Sequence, residues 1–564
     1  MKKGAIAKVY AIILTALARA TGAQPFAVTS DLGTATEIGR KMLKHGGNAV
    51  DAAVATTICL GAINSFSSGL GGGGFLLLKK GETATGYNFR EKAFETAASS
   101  VYSRPSDSQQ GRTSIGVPGE IKGLYTVHRE HGRLPWSFLF RETVEILERG
   151  FQVHKILALK IKEHLPTILK DPGLYETYTR HGEAYREGDT IKRPNLAGTL
   201  RVLARDPESF YSGEIAEKLL SFINRPKTYA TPKDFSSYAV DKMRPLEISF
   251  TTEDASSFSI FSLSLPTSGY MMAISMFALA SIKRGLDTLS EREFQRLLVH
   301  LYNSIYKKRE ELEDFIDEES NYERTLSLLN NKYLQKLISE LNAISENVDV
   351  SPSTVKILED HGTTHLNVID RDGMIVALTS TINFYWGSGL MDPSTGIILN
   401  NQIDDFTFDY ANLSGVSGSF FSKNRIAPLK RPLSSAMPSI IMYRDRVLII
   451  GGSGGIRIPS SVITIVARVL FRDTSLEEAI RYPRLHHQGN GVINLENNYP
   501  DGLADDTSFH SYRIEKDRPE AIASCVQGIL VDYSHPTSSA PYQEAVSIHA
   551  FADERKNGCS VVGV

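Results

Sequence analysis

The stretch Asp360–Gly389, DHGTTHLNVIDRDGMIVALTSTINFYWGSG, decides how this chain is read. THLNVID and MIVALTSTINFY are short β-rich runs, and Asp372-Gly373 between them is a turn signal. At the head of the first run stands Gly362-Thr363. A threonine hydroxyl is a poor nucleophile near neutral pH, and an adjacent amine can activate it. The nearest such amine is the threonine's own α-amino group, whose ordinary pKa of about 7.7–8.0 lies close to working pH. An internal threonine lacks that amine until the preceding peptide bond is cut. Glycine before it suits a strained scissile bond, because it tolerates backbone conformations closed to other residues. Taken alone, THLNV also reads as a plain strand with no chemistry.

Working outward, PSIIMY and RVLIIGG continue the β-rich character, and SSVITIVARVLF and SLEEAIRYPRLH read as helices. The carboxy-terminal third is therefore expected to stack strands under helices, an α/β layered unit. Before the stretch, residues 29–63 read as two helices joined at Gly46-Gly47, the second rich in Ala and Val and so buried. Gly69 and Gly71–Gly74 form an irregular turn into a strand near Phe75. No GK[ST] follows, so a phosphate loop is the weaker reading. Residues 135–350 are mostly helical by pattern, with strands near Leu246–Phe250 and Phe258–Leu265 and an apolar helix opening at about Gly269. Residues 308–325 are charged on nearly every face and read as solvated helix or loop. Residues 336–362 read as an extended connection.

Composition narrows the classes. The chain has 564 residues, 41% hydrophobic and 22% charged, with net charge -2. That is ordinary globular composition. Without a basic stripe, nucleic acid is not an expected partner. Cys59, Cys525 and Cys559 are too scattered for a disulfide framework or a zinc site, and no ligand-spaced cluster predicts a metal. Lys2, Lys3 and Lys8 precede the apolar run VYAIILTALA, which reads as a secretory signal peptide over residues 1–23. A buried first helix and a short uncleaved anchor are the other readings. Asn412-Leu413-Ser414 is a glycosylation sequon for a eukaryotic host.

The opening stretch resembles the small-subunit start of γ-glutamyltranspeptidases. Six further segments resemble that family in order and spacing: residues 46–55, 68–78, 88–93, 396–406, 430–441 and 451–458. The resemblance implies an N-terminal-nucleophile hydrolase fold, a four-layer αββα sandwich of mixed α/β class. It implies a precursor that cuts itself between Gly362 and Thr363, giving a large subunit (24–362) and a small subunit (363–564) that remain one heterodimer. Thr363 then carries a γ-glutamyl ester, with glutathione as donor and water, amino acids or dipeptides as acceptors. No cofactor is implied.

By the same resemblance, Thr381 sets its hydroxyl against that of Thr363, and Gly454 and Gly455 of GGSGG form the oxyanion hole. A γ-glutamyl end carries an α-carboxylate and an α-ammonium. Arg90 suits the carboxylate because a guanidinium grips it with two parallel bonds, with Ser434 and Ser435 adding hydroxyls. Asp405 suits the ammonium, helped by Gln402 and Asn383. Taken singly, Arg90 reads as a surface ion pair, Asp405 as a solvated turn, GGSGG as a turn and His365 as a structural histidine. The chain departs from the family at Asn367, where serine is common, at Trp386, where phenylalanine is common, and at its ending, ERKNG for the usual DPRK-Gly-Gly. Two other readings stay open: a related amidase acting on β-lactam side chains or poly-γ-glutamate, and a binding protein that kept the scaffold without the chemistry.

Overall fold

The computed structural model describes residues 25–225, 229–251, 256–283, 285–343, 362–408, 423–501, 503, 509–533 and 547–563. The expected signal segment, the Asn412 sequon and most of the connection before Gly362 lie outside the described residues. Among the described residues, no helix is long and apolar enough to cross a membrane.

Two antiparallel sheets form the centre. The strands of these sheets are β1 (Phe26–Ser30), β2 (Gly73–Lys80), β3 (Thr83–Asn88), β4 (Asp241–Met243), β5 (Leu246–Thr251), β6 (Ser257–Ser262), β7 (Thr364–Ile369), β8 (Ile375–Thr381), β9 (Ser439–Tyr443), β10 (Arg446–Ser453), β11 (Cys525–Asp532), β12 (Ser547–Ala552) and β13 (Cys559–Gly563). The first sheet runs β13-β1-β7-β8-β2-β3-β4, the second β12-β11-β10-β9-β6-β5. The β7–β8 hairpin pairs Leu366 with Leu378, and β8 pairs Leu378 with Leu76 of β2.

Side-chain alternation sorts the layers. Along β2, Leu76 and Leu78 join one core, while Phe75 and Leu77 join another. Along β8, Val376 and Leu378 go with the first set, and Ile375 and Ala377 with the second. The second set meets Ile440, Val447, Ile449, Ile529 and Val531 of the other sheet, so this core lies between the sheets. A period of two that buries both faces is what a strand in the middle of a layered stack requires. The outer face of the first sheet packs under α1 (Gly33–Lys44) and α2 (Ala49–Ile63). That of the second packs under α3 (Gly269–Ala280), α4 (Glu291–Arg309) and α5 (Ile458–Phe471). The order is helix, sheet, sheet, helix.

Helix α2 is buried nearly all round, and its start is fixed by a capping box in which the Asn48 side chain accepts from the Asp51 N–H and Asp51 accepts from the Asn48 N–H. Residues 308–325 differ from the solvated reading. Leu312, Asp314, Asn321, Tyr322 and Thr325 are buried, and Asp314 Oδ2 accepts from the Arg431 N–H at 3.0 Å. Most of the charges face outward, but Leu312 and Asp314 and then Asn321, Tyr322 and Thr325 are held inside.

Candidate active site

Thr363 opens β7 from inside the stack and is only 6% exposed. Its Oγ1 donates to Thr381 Oγ1 at 2.9 Å, from the last residue of the neighbouring strand β8. Thr381 Oγ1 also accepts from the Asn383 N–H at 2.8 Å, which fixes the rotamer of the receiving hydroxyl. The Thr363 N–H donates to the Ser67 carbonyl at 2.9 Å, and the Gly362 N–H to the Asn383 carbonyl at 2.7 Å. The peptide bond before Thr363 is therefore clamped on both sides.

Thr363 has φ 83°, so strained backbone adjoins the expected scissile bond. A β-branched residue in that region costs on the order of 1–3 kcal/mol. Gly362 is required for space: a Cβ there would lie 3.0 Å from both the Asn383 oxygen and Ser67 Cα. Asn383 (φ 75°) and Trp386 (φ 67°) share the left-handed region in the turn after β8.

Arg90, expected as a carboxylate clamp, is not a surface ion pair. It is 1% exposed, and its Nη2 lies 2.5 Å from Asp405 Oδ2. The same nitrogen donates to the Leu433 carbonyl at 2.9 Å, and Nε to the Pro432 carbonyl at 3.3 Å. Gln402 Nε2 donates to Asp405 Oδ2 at 2.7 Å from the same 3-10 turn. The loop that supplies the Pro432 and Leu433 carbonyls continues directly into Ser434 and Ser435. Ser434 Oγ accepts from the Ala436 N–H at 3.1 Å, which closes a turn. Asn383 Nδ2 donates to the Asn401 carbonyl at 3.1 Å, next to the turn that carries Gln402 and Asp405.

Gly454 and Gly455 end β10 with φ 121° and 56°. A Cβ on Gly454 would meet the Ala523 oxygen at 2.5 Å. Neither N–H donates to a backbone acceptor among the described residues. Strand β10 crosses the nucleophile's strand close by, since a Cβ on Gly451 would reach 2.3 Å from the His365 ring. His365 is fully buried between Thr379 Oγ1 at 2.9 Å and Asn367 Oδ1 at 3.0 Å, and burial pushes its pKa down to about 4. It is a neutral structural residue, as its sequence position suggests.

Several site residues carried no sequence signal. Ser67 supplies the carbonyl under Thr363. Glu91 and Glu120 are wholly buried, and burial raises their carboxyls to about 8 and about 7. Ser380, beside Thr381, donates to Glu120. Buried Lys556 donates its Nζ to the Thr363 carbonyl and lies 3.1 Å from Asp31 Oδ2. The RK of the chain's ending was the available clue to Lys556. Among the described residues no cluster suited to a metal ion is present.

The model of the gamma-glutamyltranspeptidase family matches residues 35–562. The chain belongs to the γ-glutamyltranspeptidase family. It is accordingly an enzyme that transfers or hydrolyses γ-glutamyl groups. It is 36% identical over 475 residues to "Glutathione hydrolase proenzyme 1" of Schizosaccharomyces pombe, covering 82% of this chain and 74% of that protein. Among solved structures it resembles the cephalosporin acylase of Bacillus halodurans with TM-score 0.80 at 19% identity, covering 96% of each chain, a likeness of fold. It also resembles the γ-glutamyltranspeptidase of Helicobacter pylori with TM-score 0.51 at 25% identity, covering 56% of this chain and 90% of that one. The layered fold is the N-terminal-nucleophile sandwich the motifs imply.

Proposed function

We propose that the precursor cuts itself between Gly362 and Thr363 and then hydrolyses or transfers the γ-glutamyl group of glutathione through an ester on Thr363. The observation that carries this reading is the buried hydroxyl pair of Thr363 and Thr381 at 2.9 Å, beside a clamped glycyl peptide. In the first reaction Thr363 Oγ1 attacks the Gly362 carbonyl carbon. Its proton passes to the departing Thr363 nitrogen, and an ester replaces the amide. Water then splits that ester, leaving Gly362 as a carboxylate and Thr363 with a free hydroxyl and a free amine.

In turnover the Thr363 amine takes the Oγ1 proton as the oxygen attacks the γ-carbonyl of the donor. The amine hands that proton to the leaving nitrogen of cysteinylglycine. Water or an amino acid then resolves the γ-glutamyl ester. Arg90, Ser434 and Ser435 take the donor's α-carboxylate, and Asp405 with Gln402 takes the α-ammonium. That zwitterionic clamp favours free γ-glutamyl ends over the acyl groups of β-lactam side chains. The N–H groups of Gly454 and Gly455 receive the developing oxyanion, a contribution of several kcal/mol in comparable sites. The two fragments remain paired, and the amino-terminal segment sends the precursor into the secretory route.

Mass spectrometry of the purified protein tests this together with glutamate release from glutathione. A small fragment beginning at Thr363 is expected, and Thr363→Ala should stay one inactive chain. An intact wild-type chain, or a fragment starting elsewhere, would remove Thr363 from its role.

A further inference from the structure

A buried ion pair stands directly behind the nucleophile. Asp31 follows β1 in the large fragment, and Lys556 precedes β13 at the far end of the small one. Asp31 is fully buried and Lys556 is 2% exposed. Asp31 Oδ2 accepts from Thr364 Oγ1 at 2.7 Å and lies 3.1 Å from Lys556 Nζ. Its Oδ1 accepts from Gln527 Nε2 at 2.6 Å. The ammonium in turn donates to the Thr363 carbonyl oxygen and faces the Phe66 ring at 5.9 Å. A buried pair of this kind is weak as a stabilising device, because desolvating both ions offsets most of their attraction. This one has a more specific placement: the oxygen it holds belongs to the residue whose nitrogen becomes the free amine.

We infer that Lys556 is a positioning residue for Thr363, holding its carbonyl during self-cleavage and, by its charge, keeping the new Thr363 amine neutral enough to act as the base in turnover. The inference rests on the proposed use of Thr363. The amine and the carbonyl oxygen belong to one residue, so the ammonium stands about 5 Å from the amine. A unit charge at that distance, with an effective dielectric of about 20, lowers an amine's pKa by about two units. The Asp31 carboxylate, 3.1 Å from Nζ and so at most about 8 Å from the amine, offsets more than half of that.

Glu120, reached through Ser380 opposite Thr364 and raised by burial to about 7, ionises in the same range as the amine and stays unchanged in every Lys556 variant. The other titratable groups around the pair do not compete. His154, packed from the large fragment, is pushed down to about 4 by burial and by the Lys556 charge. His365 is pushed down to about 4 by burial, against a smaller upward pull from Asp31. Cys525 is pushed well above its ordinary value by burial. All three are neutral where the amine titrates. The charges touching Thr363 and Thr364 are those of Lys556 and Asp31. An amine held below its ordinary range keeps its base form at a lower pH, so the acid limb of the kcat profile falls lower than a free threonine amine would place it.

The test is the pH profile of kcat in the full chain carrying Lys556→Gln, Lys556→Met or Lys556→Arg. Glutamine keeps an N–H for the Thr363 carbonyl and loses the charge. Methionine loses both, and arginine keeps the charge. The acid limb should move up measurably, by roughly half a pH unit to one pH unit, in the Gln and Met variants and stay in place in the Arg variant. A purely structural role would lower kcat at every pH without moving the limb, and that result would overturn the inference. If the uncharged variants fold, judged by a wild-type-like melting curve, but stay uncut while Lys556→Arg cuts, the charge is needed for the first reaction and the inference stands. If Lys556→Arg also folds and stays uncut, it falls. A wild-type chain not cut at Thr363 would sink the proposed function itself, whereas a cut wild type with an unmoved limb in Lys556→Gln sinks only the role of Lys556.

Discussion

Replacing Arg90 with lysine keeps one positive charge and removes a shape. In the structure the guanidinium has three duties: Nε reaches the Pro432 carbonyl, Nη2 reaches both the Leu433 carbonyl and Asp405, and Nη1 has no protein partner among the described residues. Nη1 is the arm left for a substrate carboxylate. A lysine head is a single nitrogen, which cannot hold the Leu433 carbonyl and Asp405 while also presenting a separate arm to a substrate carboxylate, as Nη1 would in the proposed orientation. Losing one desolvated charge contact of this kind costs on the order of 2–4 kcal/mol. That corresponds to a fall of roughly 30- to 1000-fold in kcat/KM, borne mostly by KM because the contact exists in both ground and transition states. The assay is initial-rate glutamate release from glutathione, with a denaturing gel of the same sample. Self-cleavage uses no substrate, so Arg90→Lys should still appear as two fragments. A fully cut Arg90→Lys enzyme with an unchanged KM would show that the α-carboxylate is held elsewhere and that the substrate orientation is wrong.

Thr381→Ala removes the acceptor for both the Thr363 hydroxyl and the Asn383 N–H, at a cost of about 1–3 kcal/mol. Self-cleavage and turnover should each slow by roughly 10- to 100-fold, and Thr381→Ser should recover most of both. Equal rates in the alanine variant, followed by a gel time course and by glutamate release, would show the hydroxyl pair to be idle. Gly362→Ala puts a methyl 3.0 Å from the Asn383 oxygen and Ser67 Cα, so the scissile carbonyl must shift and self-cleavage should slow. Cutting at the wild-type rate would mean that this close packing does not aim the bond. Glu91, raised to about 8 by burial, holds its proton in the folded state at pH values where the unfolded chain has lost it. Its contribution is therefore full below about 4.3, the unfolded carboxyl value, and is lost as pH rises through about 8. In melting curves, Glu91→Gln should lose less stability than wild type between about pH 5 and 8, and parallel pH dependence in the two proteins would refute the assignment.

What could be read from the sequence was whatever lies within one short segment. Thr363 and Thr381 terminate adjacent strands of a single hairpin, so the alternation of THLNV and the turn at Asp372-Gly373 already place them near each other. Gln402 and Asp405 share one 3-10 turn, and Ser434 and Ser435 share one loop. The αββα order was implied by the resemblance, and strands that bury both faces are where the structure shows it. Contacts between distant segments left no local trace. Arg90 reads as a surface residue beside Glu91 until Asp405, Pro432 and Leu433 surround it. Asp31 and Lys556 lie near opposite ends of the chain, and each alone looks like a solvated charge. Asn383, which the resemblance sets beside the ammonium, stands in a left-handed turn and donates its Nδ2 to Asn401. The helix at residues 318–328 was misjudged because charge count hides spacing: Tyr322, Thr325 and Leu328 fall on one face and are buried there.

The strand order explains how a cut beside the nucleophile can leave the site in place. Strand β1, from before the cut, lies between β7 and β13, both from after it. Strand β8 pairs with β2 in the same sheet, and β9 pairs with β6 in the other, each across the cut. Pulling the fragments apart would therefore break four strand interfaces and expose the core between the sheets. That core holds Phe75 and Leu77 from one side of the cut against Ala377, Ile440 and Ile449 from the other. Local restraints act in the same direction. The β7 ladder fixes Thr364 opposite Ser380, Asp31 holds its hydroxyl, and Lys556 holds the Thr363 carbonyl. Each of these contacts acts on Thr363 or Thr364, on the carboxyl side of the proposed cut, although Asp31 itself comes from before it, so none depends on the bond that is lost. The Thr363 nitrogen, a donor to Ser67 in the uncut chain, remains a donor as an amine and can keep that partner. Under the proposed function, the hydroxyl that would attack Gly362 in the precursor and the one that would attack a γ-glutamyl donor afterwards thus stand in one geometry. The cut changes the Gly362 carbonyl into a carboxylate and the Thr363 nitrogen into an amine, and the fold places a buried cation near that nitrogen.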